Sequence, residues 1–502
     1  MNRNPYPSRL LMKIILAAVL AAAGASASYS DGKKWTVTTE EAAKLPFKEA
    51  LSRGITVSED ARHIGVLVEE KGNVIVFHNN TRLGQHSAVG GDRMVFSPDS
   101  AHLAYIAVEP SGSRVVIDGK PGEEWEMIQP ESLVFSPSSD RLAYVASRKG
   151  KWFAVIGGVT GPAWDGILWN SLKFSEDGSR TVYGARDRDS RHLVVDGTAG
   201  PALAGLQADS IQFIPGSNRV AAIARIDDRW AVLIDGTPGT QAEGIVDRSL
   251  TFTPDGQHHA VITMSGGKSY AVFDGVQSNP YDSVDKLRIT KDGIHFGFVA
   301  LTEGKQFIVA DEHEKKQFEQ IYSFYLMASG EPVYSALDGN KVFVIHGEKR
   351  SQGYDSLSPL ILSDDGKHYA FAGNAGSKAT LVRDGVEGPT YDQIMGIVFS
   401  PDGERIAYHA RKGTRWMSVI DGEEFKDSTI TRTVLFSPEG RHTVSFSRAG
   451  KKWFACIDGE RIKDTDDIGL WGQVAFEGPN LLRYIGLKPS KGLLFQRVTI
   501  TQ

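Results

Sequence analysis

One segment recurs along almost the whole chain, and this repetition limits the possible folds more than any other feature. Clear copies read VFSPDSAHLAYIAV, LVFSPSSDRLAYVAS and IVFSPDGERIAYHAR. The apolar residue that precedes the Ser-Pro turn anchors each copy. Neighbouring anchors are 39 residues apart as far as Phe252 and 36–40 apart after it, at Val57, Phe96, Phe135, Phe174, Phe213, Phe252, Ile289, Leu326, Leu362, Phe399, Phe436 and Phe476. A fixed period of this size is typical of repeat architectures, in which each unit packs on its neighbours.

Each of the twelve units has the pattern of four short strands. The Ser-Pro-Asp-Gly tetrad after the anchor predicts a tight turn between the first two strands. The third strand is apolar on both faces, as expected for a sheet stacked between two others. It ends in Asp-Gly, a strong hairpin signal, at Asp118-Gly119, Asp196-Gly197, Asp235-Gly236, Asp274-Gly275, Asp384-Gly385, Asp421-Gly422 and Asp458-Gly459. Four strands in about 40 residues indicate β-propeller blades.

The FSPDGxxxAY pattern resembles the TolB-type, WD40-like propeller repeat of exported bacterial proteins. The resemblance covers residues 45–500, which is nearly the whole chain after its first 27 residues. It implies a propeller fold and leaves the function open. TolB itself carries an α/β domain before its propeller, and no segment here corresponds to that domain. The role of TolB in the Tol–Pal envelope system is therefore not carried over.

The fold class predicted is all-β, a β-propeller of twelve four-stranded blade units. Propellers usually have 4–8 blades, which favours two six-bladed rings. The connection between the fourth strand and the next first strand shortens from 10 residues to 8 after Phe252, so the seam is placed near residue 285. The two propellers then span residues 55–284 (repeats 1–6) and 285–502 (repeats 7–12). One oversized ring and a 7+5 split are the alternatives.

Residues 28–54 form an N-terminal segment in which we expect a strand for ring closure. Leu45-Pro46-Phe47 lies ten residues before the first anchor, the spacing of a fourth strand, whereas the last unit ends without one. Pairing the two would remove exposed sheet edges. The segment could instead complete the unit around Phe252, and the sequence leaves both arrangements open.

Residues 1–27 are predicted to be a secretory signal peptide. Arg9 and Lys13 precede an apolar run from Ile14 to Ala23, and Ala25-Ser26-Ala27 supplies a cleavage site. The run is shorter than the roughly 20 residues of a membrane-spanning helix. Because the residue directly after the cleavage site is not a cysteine, lipoprotein anchoring is excluded. The expected location is periplasmic or secreted.

Composition excludes several classes of site and partner. One cysteine, Cys456, rules out an intramolecular disulfide, a four-cysteine zinc site and a CxxC motif. The net charge of −5 does not suggest a nucleic-acid binder. No phosphate-binding loop, hydrolase nucleophile elbow or HExxH pair occurs. We therefore predict no catalytic, cofactor-binding or metal-binding residues and no cofactor, and the binding residues are left unassigned.

Several residues outside this pattern fit structural roles better than functional sites. Recurrent tryptophans before the third-strand turn fit packing between blades, at Trp152, Trp230, Trp416 and Trp453. The acidic groups Asp311-Glu312-His313-Glu314 and Asp464-Thr465-Asp466-Asp467 fit solvated loops. His258-His259 has no third ligand nearby in sequence. The unit at 322–357 departs most from the pattern and is rich in aromatic residues, at Tyr322, Phe324, Tyr325 and Tyr334, which we interpret as a ring seam rather than a functional face.

The function predicted is that of an exported, non-enzymatic β-propeller scaffold that binds a protein or an envelope component. The basis is that repeats account for nearly the whole chain. The alternative is a propeller enzyme of glycoside hydrolase or lyase type that acts on a carbohydrate polymer, with acids converging at one mouth of the ring.

Overall fold

The chain forms an array of antiparallel β-sheets, seen in a computed structural model. The structure describes residues 35–43, 54–428, 430–431, 434–449, 452–462, 469–478, 480–488 and 492–500. The signal-peptide prediction and the segments Leu45–Phe47 and Asp464–Asp467 lie outside these residues. The described part is all-β apart from two single-turn 3-10 helices, Pro130–Ser132 and Ala208–Ser210. It includes no helix with the length and apolar character needed to cross a membrane.

Twelve separate sheets follow one another in the described residues, and we number them 1 to 12 along the chain. Each has strands A to D in order, and strand A is split into two short segments in six of the sheets. The strands of sheets 1 to 4 are Gly54–Val57, Ile64–Glu70, Asn73–His78 and Thr81–His86; Ala88–Phe96, Leu103–Glu109, Gly112–Ile117 and Lys120–Trp125; Met127–Ile128 with Val134–Phe135, Leu142–Arg148, Lys151–Ile156 and Val159–Thr160; and Gly166–Ile167 with Lys173–Phe174, Thr181–Asp187, Ser190–Val195 and Thr198–Ala199.

The next four sheets follow the same plan without interruption. The strands of sheets 5 to 8 are Gly205–Leu206 with Gln212–Phe213, Val220–Ile226, Arg229–Ile234 and Thr237–Ala242; Gly244–Ile245 with Thr251–Phe252, His259–Ser265, Lys268–Phe273 and Val276–Gln277; Ser283–Ile289, Phe296–Thr302, Lys305–Ala310 and His313–Glu314; and Gln320–Leu326, Pro332–Asp338, Lys341–His346 and Lys349–Arg350.

The last four sheets end with one that the N-terminal strand completes. The strands of sheets 9 to 12 are Ser356–Leu357 with Ile361–Leu362, Tyr369–Ala375, Lys378–Arg383 and Val386–Tyr391; Gln393–Phe399, Ile406–Lys412, Arg415–Ile420 and Glu423–Ser428; Ile430–Thr431 with Leu435–Phe436, Thr443–Ala449, Lys452–Ile457 and Glu460–Arg461; and Gly469–Gly478, Leu481–Lys488, Gly492–Ile500 and, as strand D, Trp35–Ala43.

The N-terminal strand pairs with the end of the chain. Trp35 lies opposite Ile500 and Thr38 opposite Arg497 in an antiparallel register. The strand thus ends two residues before the expected Leu45–Phe47, and it completes the last sheet rather than the sixth. It covers an edge that would otherwise expose unpaired backbone groups.

The core is divided among the interfaces of successive sheets. Strands B and C are apolar on both faces because each sheet is covered by a neighbour on either side. Sheets 6 and 7 share one apolar cluster, in which Ala260 and Ala271 meet Val284 and Phe298. Packing is therefore continuous across the predicted seam near residue 285. In sheet 8, the aromatic-rich unit, Phe324 packs against sheet 7 and Val333 against sheet 9.

The last sheet also packs against the first. Phe495 of sheet 12 lies against Ile64 and Val66 of sheet 1. The Arg62 guanidinium of sheet 1 lies 2.8 Å from the Glu477 carboxylate of sheet 12. Every sheet in the array thus has a neighbour on each face.

The Asp-Gly turns between strands C and D have the predicted type I′ geometry. Asp118 and Gly119 both have positive φ, 49° and 80°, and the other six predicted turns have the same pattern. The aspartate does more than allow the turn. The Asp118 carboxylate accepts a hydrogen bond from the Leu103 backbone N–H at 2.9 Å, so it also fixes the start of strand B.

Candidate functional site

Strand A forms the inner side of the array. Strands A of successive sheets are linked by hydrogen bonds: Lys173 Nζ donates to the Ile211 carbonyl at 2.5 Å, and Gln207 Nε2 to the Ile245 carbonyl at 3.3 Å. In a propeller the first strands surround the axis, whereas the fourth strands lie on the outer rim. We call the surface made by the strands A the inner wall.

A wide bulge interrupts strand A in sheets 2–6, and it explains the change in repeat spacing. In sheet 4, Ile167 lies opposite Ala185 and Lys173 opposite Val182, so the five residues 168–172 face only residues 183–184. In sheet 10 the corresponding bulge is residues 396–397 facing residue 408. The two residues that separate the 39-residue spacing from the 37-residue spacing therefore lie inside strand A. Bulges redirect side chains and are frequent beside functional sites.

A recurring serine holds each bulge of sheets 3–6 in shape. The Ser171 hydroxyl donates to the Leu168 carbonyl at 2.7 Å and accepts from the Gly184 backbone N–H at 3.1 Å. The same pair of bonds is made by Ser132, Ser210 and Ser249. Because the serine satisfies backbone groups that the bulge leaves unpaired, the tip of the bulge is free to carry variable residues.

The bulge tips present a mixed set of exposed side chains. Trp169, at the tip in sheet 4, has 57% of its surface exposed, and Met127, which begins strand A of sheet 3, has 54%. Asn170 lies beside Trp169 with φ of +58°. Asp209 and Arg248 occupy equivalent positions in sheets 5 and 6 and form an ion pair of 2.5 Å. Large apolar side chains exposed next to polar ones are typical of binding surfaces.

A pocket of about 250 Å³ lies between the bulges of sheets 2, 3 and 4. Arg93, Gln129, Glu131, Ser132 and Asn170 provide its polar groups, and its apolar lining is Val95, Leu133, Val134, Val145, Leu168 and Leu172. The lining combines a cation, a carboxylate and two amides, so the pocket can donate and accept hydrogen bonds. With Trp169 this part of the inner wall is the candidate functional site.

The described carboxyl groups with clearly shifted pKa values share one direction of shift. Each described carboxyl group with a clearly shifted pKa has that pKa lowered. Acid catalysis of glycoside cleavage requires a carboxyl group whose pKa is raised.

The lowered values arise from structural hydrogen bonds. The Lys378 ammonium, 2.7 Å from Asp392, lowers the pKa of that carboxyl group together with the Gly413 backbone N–H at 2.6 Å. Lys378 belongs to sheet 9 and Gly413 to sheet 10, so Asp392 clamps two sheets together. Asp165, Asp282 and Asp355 make the same clamp between their own pairs of sheets.

His258 lies in the turn between strands A and B of sheet 6, and His259 begins strand B. His258 Nδ1 is 2.6 Å from the Asp274 carboxylate, and His259 Nδ1 is 3.4 Å from it. Equivalent pairs join residues sixteen apart in other sheets, such as His102 with Asp118 and Arg180 with Asp196. These pairs tie the turn between strands A and B to the turn between strands C and D.

The other residues weighed from the sequence mostly serve packing. Trp152 and Trp230 are half-buried in clusters between sheets, as predicted. Trp416 is also half-buried, and the side chain of Trp453 lies outside the described part. Cys456 is buried in strand C of sheet 11. Of the aromatic-rich unit, Phe324 and Tyr334 are buried, Tyr325 lies under the Arg288 guanidinium, and Tyr322 is 46% exposed.

Sequence reasoning did not find Trp169, Asn170 or the pocket. The signal was available in the serine three residues before the anchor, which recurs at Ser132, Ser171, Ser210 and Ser249. Its recurrence marks the bulges, and the residues just before it are the exposed tips.

Comparisons with known proteins found similarity among solved structures only. No family model matches the chain, and no curated protein matches it. Among solved structures it is similar to a eukaryotic initiation factor, with 12% identity, a TM-score of 0.36 and 70% of this chain and 90% of that chain covered. It is also similar to the β-propeller domain of Cps50 (Swd1) from Myceliophteria thermophila, at 10% identity and a TM-score of 0.25, covering 52% and 99%.

TolB from Acinetobacter baumannii is a further structural neighbour. It has 14% identity and a TM-score of 0.20, with 65% of this chain and 78% of that chain covered. The description of the chain as an all-β repeat protein rests on its own four-stranded sheets.

Proposed function

We propose that this protein is an exported, non-enzymatic scaffold whose inner wall binds a protein or an envelope component. The observation that carries the proposal is the exposed Trp169 beside a polar pocket on the bulges of sheets 2–4. Exposed aromatic side chains next to hydrogen-bonding groups are the usual anchors of binding surfaces. A rigid sheet array holds them in place without the need for induced order.

The ring is proposed to be a single closed one of twelve blades instead of two six-bladed propellers. Support comes from the cluster that sheets 6 and 7 share at the predicted seam. Further support comes from Phe495 and Glu477 of sheet 12, which contact sheet 1. A ring closed by its N-terminal strand needs no disulfide, which suits a chain with one cysteine.

Export is proposed from the sequence features of residues 1–27. The basic start, the apolar run and the small residues at 25–27 support a cleaved signal peptide. The TolB-type repeat pattern, which occurs in exported proteins, agrees with a periplasmic or secreted location. Size comparison of the purified native protein with the full chain tests this part of the proposal.

The proposal is tested by photo-crosslinking in the native compartment. A photoreactive residue at position 170 should give a defined adduct with a partner, and Trp169→Ala should abolish it. A photoreactive residue at Val159, which is 72% exposed on an outer strand, is the matched control. Equal adducts from both positions, or an adduct that survives Trp169→Ala, would contradict binding at the inner wall.

The enzyme alternative makes a different prediction for the same surface. A propeller enzyme would release reducing ends or unsaturated products from a carbohydrate polymer, and Glu131→Gln would abolish the release. The scaffold proposal expects no release of such products by the unmodified protein or by Glu131→Gln. The described carboxyl groups with clearly shifted pKa values are all shifted downward, which does not suit a general acid.

A further inference from the structure

A cleft of about 640 Å³ lies between sheets 6 and 7, lined mainly by strands B, C and D and their turns. Its floor is aromatic and consists of Phe273, Tyr281, Phe296 and Phe298. The rings of Phe273 and Phe296 stack with centroids 5.1 Å apart and planes at 13°. A pocket of this size with an apolar floor is large enough for a small organic ligand or a pair of side chains.

Similar clefts occur between neighbouring sheets, and they provide an internal comparison. The cleft between sheets 4 and 5 has about 620 Å³ and that between sheets 5 and 6 about 500 Å³. A cleft at this place is thus a consequence of how the sheets diverge toward the rim. What distinguishes the cleft between sheets 6 and 7 is the residues that depart from the repeat.

Glu312 is the first departure. It lies at the second position of the turn between strands C and D, with φ of +67°. Such a backbone conformation is costly for a glutamate, whereas glycine adopts it freely. Most of the equivalent positions are glycines with φ near +80°, namely Gly119, Gly158, Gly197, Gly236, Gly275, Gly385, Gly422 and Gly459. Here the chain accepts the cost and places a carboxylate in the cleft lining.

Ile294 is the second departure. It lines the same cleft and is 69% exposed, in the turn between strands A and B. The equivalent residue is polar or small in the other regular turns, at Arg62, Ala101, Asp140, Ser179, Asn218, Gln257, Lys367, Glu404 and Arg441. Val276, also in the lining, is 67% exposed. Two exposed aliphatic side chains therefore flank the aromatic floor.

The charges at the mouth favour a cation. Asp311 is paired with His295, 2.7 Å away, and Glu314 accepts a hydrogen bond from the Tyr281 hydroxyl at 3.2 Å. Glu312 has no ion pair or hydrogen bond with any part of the chain that the structure describes. Its carboxylate is thus available to a ligand, and the aromatic faces below it attract cations as well.

We propose that the cleft between sheets 6 and 7 is a binding site for an organic cation that joins a flat apolar body to an ammonium or guanidinium group. The apolar body would lie on Phe273 and Phe296 between Ile294 and Val276. The cationic group would pair with Glu312. The proposal is independent of the partner proposed for the inner wall.

The experiment measures binding of three probes that share one ring system. Fluorescence anisotropy of 1-naphthylmethylammonium, 1-naphthalenemethanol and 1-naphthaleneacetate is titrated with the full chain. We expect the cation to bind most tightly and the anion least. N-acetyl-Phe-Arg-amide is then added as a competitor. If the site takes the cationic group from a peptide, the competitor should displace the naphthyl cation. If the site takes a small amine, the naphthyl cation should stay bound.

Two variants distinguish binding in the cleft from general effects of charge. Glu312→Gly restores the residue that most of the other repeats use, so folding should be preserved while the cation binds about fivefold more weakly or worse. Glu348→Gln removes an exposed carboxylate at the same turn position of sheet 8 and should leave binding unchanged. The proposal is overturned if no probe binds, if anion and cation bind alike, or if Glu312→Gly retains full affinity for the cation.

Discussion

At the scale of single residues, glycines and hydroxyl groups set how the turns of successive sheets fit together. Gly256 has φ of +67°, and a Cβ there would lie 2.3 Å from the Pro215 carbonyl oxygen of the preceding sheet. Gly150 also has positive φ, +70°, but a Cβ there would meet nothing within 4 Å. One glycine is therefore needed for backbone conformation and close packing, and the other for conformation only.

Replacing these glycines by alanine should separate the two effects. Gly150→Ala is expected to lower the free energy of unfolding by about 1–2 kcal/mol, the cost of a left-handed backbone. Gly256→Ala should cost about 1–3 kcal/mol more, because the turn must shift away from Pro215. Chemical denaturation of both variants checks this, and equal losses would show that the contact between sheets tolerates a methyl group.

Carboxylates in the Ser-x-Asp turns should make stability depend on pH in acid. Burial alone would raise the pKa of Asp365, but hydrogen bonds from Ser363 and Lys367 outweigh it and lower the pKa to about 2. A folded-state pKa below the unfolded value of about 3.9 means that this stability is complete above pH 4 and is lost as the pH falls toward 2.

Denaturation between pH 5 and pH 2 tests this assignment. Asp365→Asn should weaken the dependence of the unfolding free energy on pH, because the amide does not titrate. Asp364→Asn, next to it, should keep the full dependence. A pH profile that both variants leave unchanged would mean that Asp365 titrates alike in the folded and unfolded chain.

At the scale of elements, the sequence predicted the number and order of strands in each unit. It did not predict the bulge that interrupts strand A. Four strands per unit and the type I′ turns follow from local signals, since Pro, Gly and Asp act within a few residues. The only sequence signal of the bulge is the recurring serine after it, because the bulge tips share no residue type: Pro130-Glu131, Trp169-Asn170, Ala208-Asp209 and Asp247-Arg248. The shortened connection was interpreted as two lineages of blades, whereas the difference lies inside strand A.

The serine in each bulge of sheets 3–6 should contribute more to the free energy of unfolding than the size of its side chain suggests. Ser171→Ala removes the bond to the Leu168 carbonyl and leaves the buried Gly184 N–H without its acceptor. The expected loss is about 1–3 kcal/mol of unfolding free energy. The exposed Ser179→Ala is the control and should change stability by less than about 0.5 kcal/mol. Because Trp169 lies on the same bulge, its fluorescence should change in Ser171→Ala only.

At the scale of the whole molecule, the ends of the chain meet in one sheet. Closure by an N-terminal strand could be predicted from the missing fourth strand of the last unit. Which strand would pair, and which sheet it would complete, could not be predicted, because pairing across the full length of the chain leaves no local signal. The number of rings could not be predicted either, since the spacing of the repeats describes each blade and not how the blades close into a ring.

A disulfide can report the pairing of the two ends. Thr38 and Arg497 lie directly opposite each other in sheet 12. Thr38→Cys with Arg497→Cys should form a disulfide under mild oxidation, and the looped chain should migrate faster in a non-reducing gel. Thr38→Cys with Arg483→Cys, one strand further away, should not crosslink. Crosslinking of both pairs, or of neither, would contradict the register.

The central claim, one closed ring of twelve sheets, is tested most directly by electron microscopy of the purified protein. End-on class averages should show a single ring in which twelve blades surround one opening. Two smaller rings of six blades, each with its own opening, would contradict the claim.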